Sequence, residues 1–364
     1  MRILYDYQIF SAQRFGGISR YFVELMRGIE ARNEVSYSLD VFGNVNHYLA
    51  KGNARDFGFV EKLRKHHRKS HRILDKNRNK VIEQLNNKEV DVFHPTYFDP
   101  YFVGHLSKPL VITVHDMTYE NFPEFFWSGD PTAYQKRILI ARADKIIAIS
   151  DQTKNDILKH YDVDESRIEV IYHGIDAVTP IHFEEVRDIP AEYILYVGSR
   201  NGYKNFSLLV QAFGVLSKRY SNIKLVLAGG PLEIAEKEHL YRNRILDKTI
   251  QIAATDEQLN TLYRNALFFV YPSIYEGFGL PILEAFKNRC PILLSNASCF
   301  PEIAGEAAAY FEALALDSLI EQMECLLTDT EYRAKLVEKG DEQLKHYKID
   351  SCVEKTIGLY QKLM

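Results

Sequence analysis

The sequence feature that most constrains the fold is a strand, loop and helix pattern between residues 267 and 294. An apolar run, Leu267 to Val270, leads into a loop containing Gly277 and Gly279, and after Pro281 apolar residues recur at helical spacing. Proline suits the first turn of a helix, because its missing N–H would have no intrahelical partner there. We therefore predict a helix that starts near Pro281 and faces its free N–H groups and dipole toward the glycine loop. Such a geometry binds anions such as phosphate.

Two glutamates flank this predicted anion site, Glu276 at the start of the loop and Glu284 one turn inside the helix. A carboxylate is repelled by a phosphate, so these side chains are better suited to the hydroxyls of a sugar. The hypothesis is a sugar-nucleotide pocket. The alternative is that Glu284 is an ordinary helix-surface residue and Glu276 part of a polar loop.

The longer string Tyr-Pro-Ser-x-Tyr-Glu-Gly-Phe-Gly-Leu-Pro-x-Leu-Glu-Ala, from Tyr271 to Ala285, resembles the signature of family 4 of the retaining glycosyltransferases. The resemblance is to bacterial surface-polysaccharide and O-antigen mannosyltransferase-like members. It implies an α/β protein of the GT-B fold, with two Rossmann-like, doubly wound domains facing across a cleft. One departure is Arg289, where relatives usually carry glycine, which puts the local turn in doubt.

A chain of 364 residues exceeds the size at which one hydrophobic core usually stops growing, so two domains are expected. We predict an N-terminal, acceptor-side domain over 1–178 and a C-terminal domain that binds the nucleotide sugar over 179–348. The boundary rests on Gly174-Ile-Asp176, which resembles the family's closing mark for the first domain, and on a linker over 177–190. By the same resemblance the last helix, 349–364, packs back on the N-terminal domain.

The N-terminal domain opens with a short strand and the string Phe15 to Tyr21, which contains Gly17. A strand, a glycine turn and a helix are typical of a doubly wound unit, but the G-x-G-x-x-G of dinucleotide-binding proteins is missing, which disfavours a dehydrogenase. The string resembles the acceptor-side glycine loop of family-4 enzymes. The alternative is a turn with a structural role only.

Two histidines, His94 and His115, end predicted buried strands, the place where open α/β sheets bind ligands. His115-Asp116 resembles the His-Asp pair that touches the donor sugar near its reactive carbon, so a role is predicted for His115 and none is assigned to His94. Asp162-Val-Asp164 looks like a metal-binding motif of another glycosyltransferase fold, but it lies before a strand and is interpreted as a turn.

The resemblance also implies the site residues of the C-terminal domain. Arg200 and Lys204 follow a strand end and would clamp the diphosphate, since arginine offers a fork of donors and lysine a compact charge. Glu284 would hold the ribose, Glu276 the transferred sugar, and Ile252 would form one wall of the base pocket. The predicted catalytic residues are His115, Glu276, Arg200 and Lys204, and the predicted nucleotide-sugar-binding residues are Gly17, Arg200, Lys204, Ile252, Glu276, Gly277, Phe278, Gly279, Leu280 and Glu284. No metal and no cofactor are expected.

The formal net charge of −4 is unevenly distributed. Between residues 60 and 80, nine Lys or Arg residues accompany two acids, and this basic segment suits an anionic membrane surface or a lipid-linked phosphate. It lacks the stacking aromatics of a nucleic-acid site, so nucleic acid is not expected as a partner, and a solvated basic helix is the alternative. No apolar run is long enough to cross a bilayer, and the four cysteines show no metal or redox pairing. We expect a cytoplasmic protein with reduced thiols, peripheral on the inner face of the membrane if the basic segment binds lipid.

The predicted activity is transfer of a hexosyl group, with retention of configuration, to a lipid-linked or surface-polysaccharide acceptor. A GT-B epimerase or hydrolase and a non-catalytic nucleotide-sugar-binding subunit are the alternatives. The sequence leaves GDP and UDP donors both open. The N-terminal glycine string favours GDP-mannose or a GDP-deoxyhexose.

Overall fold

The computed structural model describes residues 1–50, 67–176, 180–200 and 202–364, without the side chains of residues 50 and 67–70. Three features predicted from the sequence fall partly outside these residues: 60–66 of the basic segment, 177–179 of the linker, and Asn201 in the loop of the two cations. The chain divides into two compact units. The N-terminal unit comprises Met1–Asn121, Phe126–Gly174 and Ile349–Met364, and the C-terminal unit comprises Phe122–Phe125 and Ile175–Lys348.

The N-terminal unit is built on parallel strands in the order β2-β1-β3 and β4-β5-β6, and a parallel bridge between Phe93 and Leu110 joins the two groups. Val111–Val114 is buried throughout, as expected for a strand covered on both faces. The strands that the structure describes in this unit are β1 Arg2–Tyr5, β2 Ser36–Ser38, β3 Val92–His94, β4 Val111–Val114, β5 Lys145–Ala148 and β6 Ile168–Val170.

Helices cover this sheet, and the amphipathic helix Gly17–Glu30 buries Phe22, Leu25 and Ile29 in the core. The last helix of the chain belongs to this core through Val353 and Tyr360. In the described part of the unit the helices are α1 Gln8–Ala12, α2 Gly17–Glu30, α3 His47–Ala50, α4 His67–Leu85, α5 Thr118–Asn121, α6 Thr132–Arg142, α7 Asp151–His160 and, at the end of the chain, α15 Ile349–Gln361.

The C-terminal unit has a parallel sheet in the order β12-β11-β10-β7-β8-β9. Its described strands are β7 Tyr193–Val197, β8 Lys224–Ala228, β9 Thr249–Ile252, β10 Phe268–Tyr271, β11 Ile292–Ser295 and β12 Ala309–Phe311. Its described helices are α8 Phe206–Leu216, α9 Ile234–Arg242, α10 Asp256–Asn265, α11 Leu280–Lys287, α12 Phe300–Ala304, α13 Leu316–Thr328 and α14 Thr330–Leu344. Both units therefore have the parallel, helix-covered sheet of a Rossmann-like domain.

Most predicted elements are found within a few residues of their predicted bounds. The helix predicted near Pro281 begins one residue earlier, at Leu280, and Ser150 caps α7 as predicted, its Oγ accepting a hydrogen bond from the Thr153 N–H at 3.0 Å. The strand predicted over residues 35–41 is shorter, because β2 is an edge strand that pairs with β1 only over Ser36–Ser38.

A chain of buried polar groups ties α15 to the N-terminal sheet. The two ring nitrogens of His94 are hydrogen-bonded to the hydroxyls of Tyr360, at 2.6 Å, and Thr113, at 3.0 Å, and the Tyr360 hydroxyl lies 3.0 Å from that of Tyr5. Burial lowers the pKa of His94 to about 3. His94 is therefore a neutral structural residue whose polar atoms are already satisfied.

This burial predicts a loss of stability in acid. The unfolded chain binds a proton at His94 below its ordinary pKa of 6.5, whereas the folded chain does so only near 3, so the stabilisation is complete above about 6.5 and is lost as pH falls toward 3. One such histidine contributes a slope of about 1.4 kcal/mol per pH unit. We expect His94→Gln to lower by about that amount the slope of the unfolding free energy measured in urea between pH about 6 and about 4.

The comparison of the two proteins is needed because Asp6 acts in the opposite sense. Asp6 is fully buried, and its burial raises the pKa of its carboxyl in the folded state. The slope of the unfolding free energy against pH in one protein therefore contains contributions from several groups. The difference in slope between wild type and variant gives the contribution of His94 alone. Equal slopes for the two proteins would contradict a neutral His94.

Candidate functional site

The carboxyl ends of the parallel strands β7, β8, β9 and β10 lie at one edge of the C-terminal sheet, and the loops that follow them carry most of the predicted residues. The backbone N–H of Ile274, in the loop after β10, donates to the carbonyl of Tyr203, in the loop after β7, at 2.9 Å. This hydrogen bond joins the loop of the two cations to the loop of Glu276.

Lys204 and Glu276 meet in a direct ion pair, with 2.5 Å between Nζ and Oε1, and their side chains are only 15% and 13% exposed. Burial, followed by the charge of the nearby Glu276 carboxylate, raises the pKa of Tyr271 well above its ordinary value. The ammonium of Lys204 lies 4.9 Å from the ring centroid of Tyr203. The structure thus brings together a cation predicted for the diphosphate and an acid predicted for the sugar.

Arg200 is held by groups of the loop after β8 and of α9. Its Nε lies 2.6 Å from Oε1 of Glu236, and its Nη2 donates to the carbonyls of Gly230 and Pro231 at 3.0 and 2.9 Å. Its Nη1 is buried and has no hydrogen-bond partner among the described residues. Arg200 is therefore oriented by its surroundings and keeps one nitrogen that the protein does not satisfy.

Glu236 was missed by the sequence reasoning. Its other oxygen, Oε2, accepts from the backbone N–H of Glu233 at 2.8 Å, as the third-residue glutamate of a capping box at the start of α9. The capping-box spacing from Glu233 to Glu236 was visible in the sequence, but the pairing with Arg200 was not.

The ion pairs Arg200–Glu236 and Lys204–Glu276 both lie near Tyr196, because charged groups of both pairs affect its pKa. Tyr196 is almost completely buried at the end of β7, and its hydroxyl donates to the carbonyl of Ser199 at 2.5 Å. Burial raises the pKa of Tyr196 most, and Glu276 adds to this while Arg200 opposes it. Arg200 and the pair of Lys204 and Glu276 therefore border the same small region.

The loops after β7 and β8 approach each other so closely that one position excludes any side chain. A Cβ on Gly229 would lie 2.7 Å from the carbonyl oxygen of Gly198. The N–H of Gly198 donates to the carbonyl of Ala228 at 2.9 Å, and that of Gly229 to the carbonyl of Ile252 at 3.0 Å. Ile252 consequently lies at the same sheet edge, beside the loop of the Arg200 partners.

Hydrogen bonds join the loop before α11 to the loop after β11. The Ser298 hydroxyl donates to the carbonyl of Glu276 at 2.6 Å, and the thiol of Cys299 donates to the same carbonyl at 3.2 Å. Gly277, Phe278 and Gly279 are buried beneath. Ser298 and Cys299 lie in the string from Ser295 to Gly305, which resembles the loop that follows in family-4 enzymes, but the sequence assigned them no role; their hydrogen bonds hold the Glu276 loop in place.

Helix α11 starts where Gly279 and Pro281 predicted it would. Gly279 is the N-cap in a left-handed conformation, with φ +89° and ψ +56°, and Leu280 is the first helical residue. Glu284 lies one turn further along, half-buried, and its Oε2 accepts from the Tyr263 hydroxyl at 3.4 Å. The first N–H groups of the helix thus open at the sheet edge that carries Lys204 and Glu276.

In the N-terminal unit, His115 follows β4 and is 7% exposed. Its ring stacks on that of His173 at 5.7 Å and contacts Tyr21 edge-on at 5.3 Å, while its Nε2 has no hydrogen-bond partner in the part of the chain that the structure describes. Burial, followed by the charges of His94 and Lys136, lowers the pKa of His115 to about 3. His115 is therefore a neutral imidazole near physiological pH.

Gly17 is exposed at the first position of α2, one turn before Tyr21. Asp164 accepts a hydrogen bond from the Ser166 N–H at 2.9 Å, as expected for the turn predicted there. No cluster of three or more potential metal ligands occurs among residues 1–50, 67–176, 180–200 and 202–364. Over the same ranges, the helices are too short or too polar to cross a bilayer.

Two family models match adjoining parts of the chain. The model described as Glycosyltransferase Family 4 matches residues 15–178, and the model described as Glycosyl transferases group 1 matches residues 179–343. Together they leave only the two termini unmatched.

Curated relatives include O-antigen chain mannosyltransferase B of Escherichia coli, which is 26% identical over 72% of this chain and 73% of that protein. Another is O-antigen chain mannosyltransferase RfbU of Salmonella typhimurium, which is 28% identical over 57% of this chain. The match covers 58% of the length of RfbU, which is less than two thirds of that protein.

Among solved structures, Anabaena Alr3699/HepE in complex with UDP and glucose is similar over the full length of both chains, with a TM-score of 0.73 and 18% identity. The structural likeness confirms the predicted fold class, and the family models confirm the resemblance seen in the sequence. The chain belongs to the family-4 glycosyltransferases of the GT-B fold and is a hexosyltransferase.

Proposed function

We propose that this protein transfers mannose or a closely related hexose from a GDP-sugar to a lipid-linked or surface-polysaccharide acceptor, with retention of configuration and without a metal ion. The observation that carries the proposal is the pair of Lys204 and Glu276 beside the start of α11. A cation, an acid and a helix N-terminus at one sheet edge offer separate partners for a diphosphate and for sugar hydroxyls. The two O-antigen mannosyltransferases among the relatives support the choice of sugar and acceptor class.

The proposed roles follow the chemistry of each group. Arg200, Lys204 and the helix N-terminus at 279–282 stabilise the charge that develops on the leaving diphosphate, the work that a divalent ion does in other enzymes. Glu276 binds the hydroxyls of the transferred sugar, and Glu284 binds the ribose. The unsatisfied Nη1 of Arg200 supports an anionic ligand at this place.

The remaining predicted residues are proposed to contact the donor. Ile252 forms a wall of the base pocket, and the backbone of the buried loop before α11 lies against the donor. The other proposed donor-binding residues are Gly17, Gly277, Phe278, Gly279 and Leu280.

In the proposed reaction the bond between the sugar C1 and the diphosphate oxygen breaks, and the acceptor oxygen bonds to C1 on the same face. The acceptor proton passes to the leaving phosphate. His115, neutral because of its burial, contributes hydrogen bonding to the sugar. A product of inverted configuration in an NMR coupling measurement would refute this mechanism.

The acceptor is proposed to reach the enzyme from the cytoplasmic face of the membrane. Within the basic segment, Arg78 pairs with Asp99 at 2.7 Å and Lys80 with Glu83 at 3.0 Å, so these two cations are partly neutralised by the protein itself. The segment supports membrane contact through its other lysines and arginines, and liposome flotation with anionic vesicles tests it.

Calorimetric titration with GDP and with UDP tests the donor. We expect GDP to bind at least about tenfold more tightly than UDP, a difference of about 1.4 kcal/mol, and GDP-mannose to release GDP when incubated with the enzyme and a lipid-linked or polysaccharide acceptor that takes up the sugar. HepE was solved with UDP and glucose, so UDP is the competing donor nucleotide. Tighter binding of UDP would refute the GDP-sugar part of the proposal and leave the transferase part standing.

A further inference from the structure

A buried lysine lies directly behind the loop of His115. Lys136, on α6, is 1% exposed, which is rare for this residue type. Its Nζ donates to Oε2 of Glu120 and to the backbone carbonyl of Asp116, each at 2.9 Å. The Glu120 side chain is itself only 6% exposed.

The carbonyl that Lys136 binds belongs to the residue that follows His115. The Asp116 side chain accepts from the Thr118 N–H at 2.9 Å, so the chain turns tightly between β4 and α5. The buried Lys136 thus stabilises this turn by its hydrogen bond to the Asp116 carbonyl. Aromatic rings enclose the ammonium, with the centroids of Phe98 and Tyr119 at 5.4 and 5.9 Å.

Stability alone does not account for this arrangement. Removing two charges from water costs free energy that their attraction often fails to recover, and apolar residues of similar volume are frequently as stable. Two apolar residues in place of Lys136 and Glu120 could not, however, donate a hydrogen bond to the Asp116 carbonyl. The counter-ion is also held in place, because the Tyr161 hydroxyl donates to Oε1 of Glu120 at 2.8 Å.

We propose that Lys136 is a positioning residue for the transfer reaction: by holding the Asp116 carbonyl it fixes the imidazole of His115 against the donor sugar, with Glu120 as its counter-ion. This inference rests on the role given to His115 in the proposed function. Lys136 itself touches no substrate. A misplacement of about 1 Å in such a group is enough to slow a reaction substantially.

The test compares the full-length wild-type protein with the double variant Lys136→Met/Glu120→Leu. The double variant removes both charges, so no unpaired ion stays buried, and neither new side chain can donate to Asp116. The Tyr161 hydroxyl keeps a partner, since it also donates to the carbonyl of Ala133 at 3.3 Å. The measured quantities are the Kd of GDP and the rate of GDP-mannose hydrolysis without added acceptor, in which water takes the place of the acceptor hydroxyl and mannose and GDP are released.

We expect the double variant to keep the GDP affinity of the wild type and to lose about tenfold in kcat. In a His115→Ala background the same double substitution should change kcat by less than about twofold, because a residue that acts through His115 has nothing left to position. A purely structural role predicts the same factor in both backgrounds. That result, or wild-type kcat in the double variant, overturns the inference.

Other variants keep the inference testable if that double variant does not fold. Lys136→Arg keeps the charge, its pairing with Glu120 and the donors, whereas Lys136→Met/Glu120→Gln removes both charges and keeps similar volumes, so positioning predicts a higher kcat for the first variant and simple packing a higher kcat for the second. Full activity of His115→Ala would refute the proposed role of His115 itself, independently of Lys136.

Discussion

Lys204→Ala is expected to lower kcat for release of the nucleotide from its sugar about a hundredfold, while the protein stays folded. Losing one preorganised group that stabilises charge in the transition state typically costs ~2.7–4 kcal/mol. An exposed salt bridge contributes only about 0–1 kcal/mol to stability, and this pair, 15% and 13% exposed, lies somewhat deeper. Turnover of GDP-mannose and the free energy of unfolding in urea, measured on the same preparation, give the two effects separately.

A matched control is available in the same unit. Lys335 pairs with Glu331 at 2.8 Å on α14, and its side chain is 63% exposed. Lys335→Ala removes an exposed lysine and an ion pair within α14, so turnover should stay at the wild-type level and stability should change by less than about 0.5 kcal/mol. Near wild-type turnover in Lys204→Ala would contradict the assignment of this residue to the diphosphate.

A double-mutant cycle with Glu276→Gln separates the two functions of the pair. If Lys204 and Glu276 only hold two loops together, the second substitution adds little once the first has broken the bond, in turnover as well as in stability. If each binds its own part of the donor, the effects on turnover accumulate while the effects on stability do not. We expect the second pattern.

The elements of the fold were predictable from the sequence because their signals are local. Val111–Val114 is a short apolar run that ends in a histidine, and such a run reads as a strand buried on both faces wherever it occurs. The Gly279 and Pro281 pattern gave the start of α11 to within one residue, because both residues act through their own backbone geometry.

The pairing of side chains was not predictable, because it depends on residues far apart in the chain. Lys204 and Glu276 are separated by 72 positions and were assigned to different parts of the ligand before their contact was seen. Glu236 was overlooked although its capping box is a local pattern, since nothing local says that its second oxygen meets Arg200. For the same reason Lys136 gave no signal beside the other lysines of the chain.

Arg289 stands where relatives usually carry glycine, which put the turn after α11 in doubt; the structure shows that the turn forms. Arg289 adopts a left-handed conformation, φ +57°, just after the end of α11, where glycine has the lowest cost. The turn is formed nevertheless: the N–H of Cys290 donates to the carbonyl of Ala285 at 2.9 Å. The helix end is therefore retained at a backbone cost of about 1–2 kcal/mol.

Gly279→Ala is expected to weaken binding of the donor nucleotide about tenfold and to destabilise the C-terminal unit by about 1–2 kcal/mol. At φ +89° an alanine is strained, and its Cβ would lie 3.0 Å from Cδ1 of Ile282 and 3.3 Å from the Phe300 ring. Relief of both contacts requires the backbone to turn, and that rotation moves the N–H groups at the start of α11 away from the diphosphate. Calorimetry with GDP and urea unfolding measure the two effects.

The size of the two effects distinguishes loss of the site from loss of the fold. A domain with a stability of about 5–15 kcal/mol remains folded after a loss of 1–2 kcal/mol, so weaker GDP binding cannot be attributed to unfolding. Gly358→Ala is the control: Gly358 lies within α15, and its Cβ would meet no described atom within 4 Å. There alanine should stabilise the protein by up to about 1 kcal/mol and leave GDP affinity unchanged. Unchanged affinity in Gly279→Ala as well would mean that the start of α11 does not bind the diphosphate, and the charge would then rest on Arg200 and Lys204 alone.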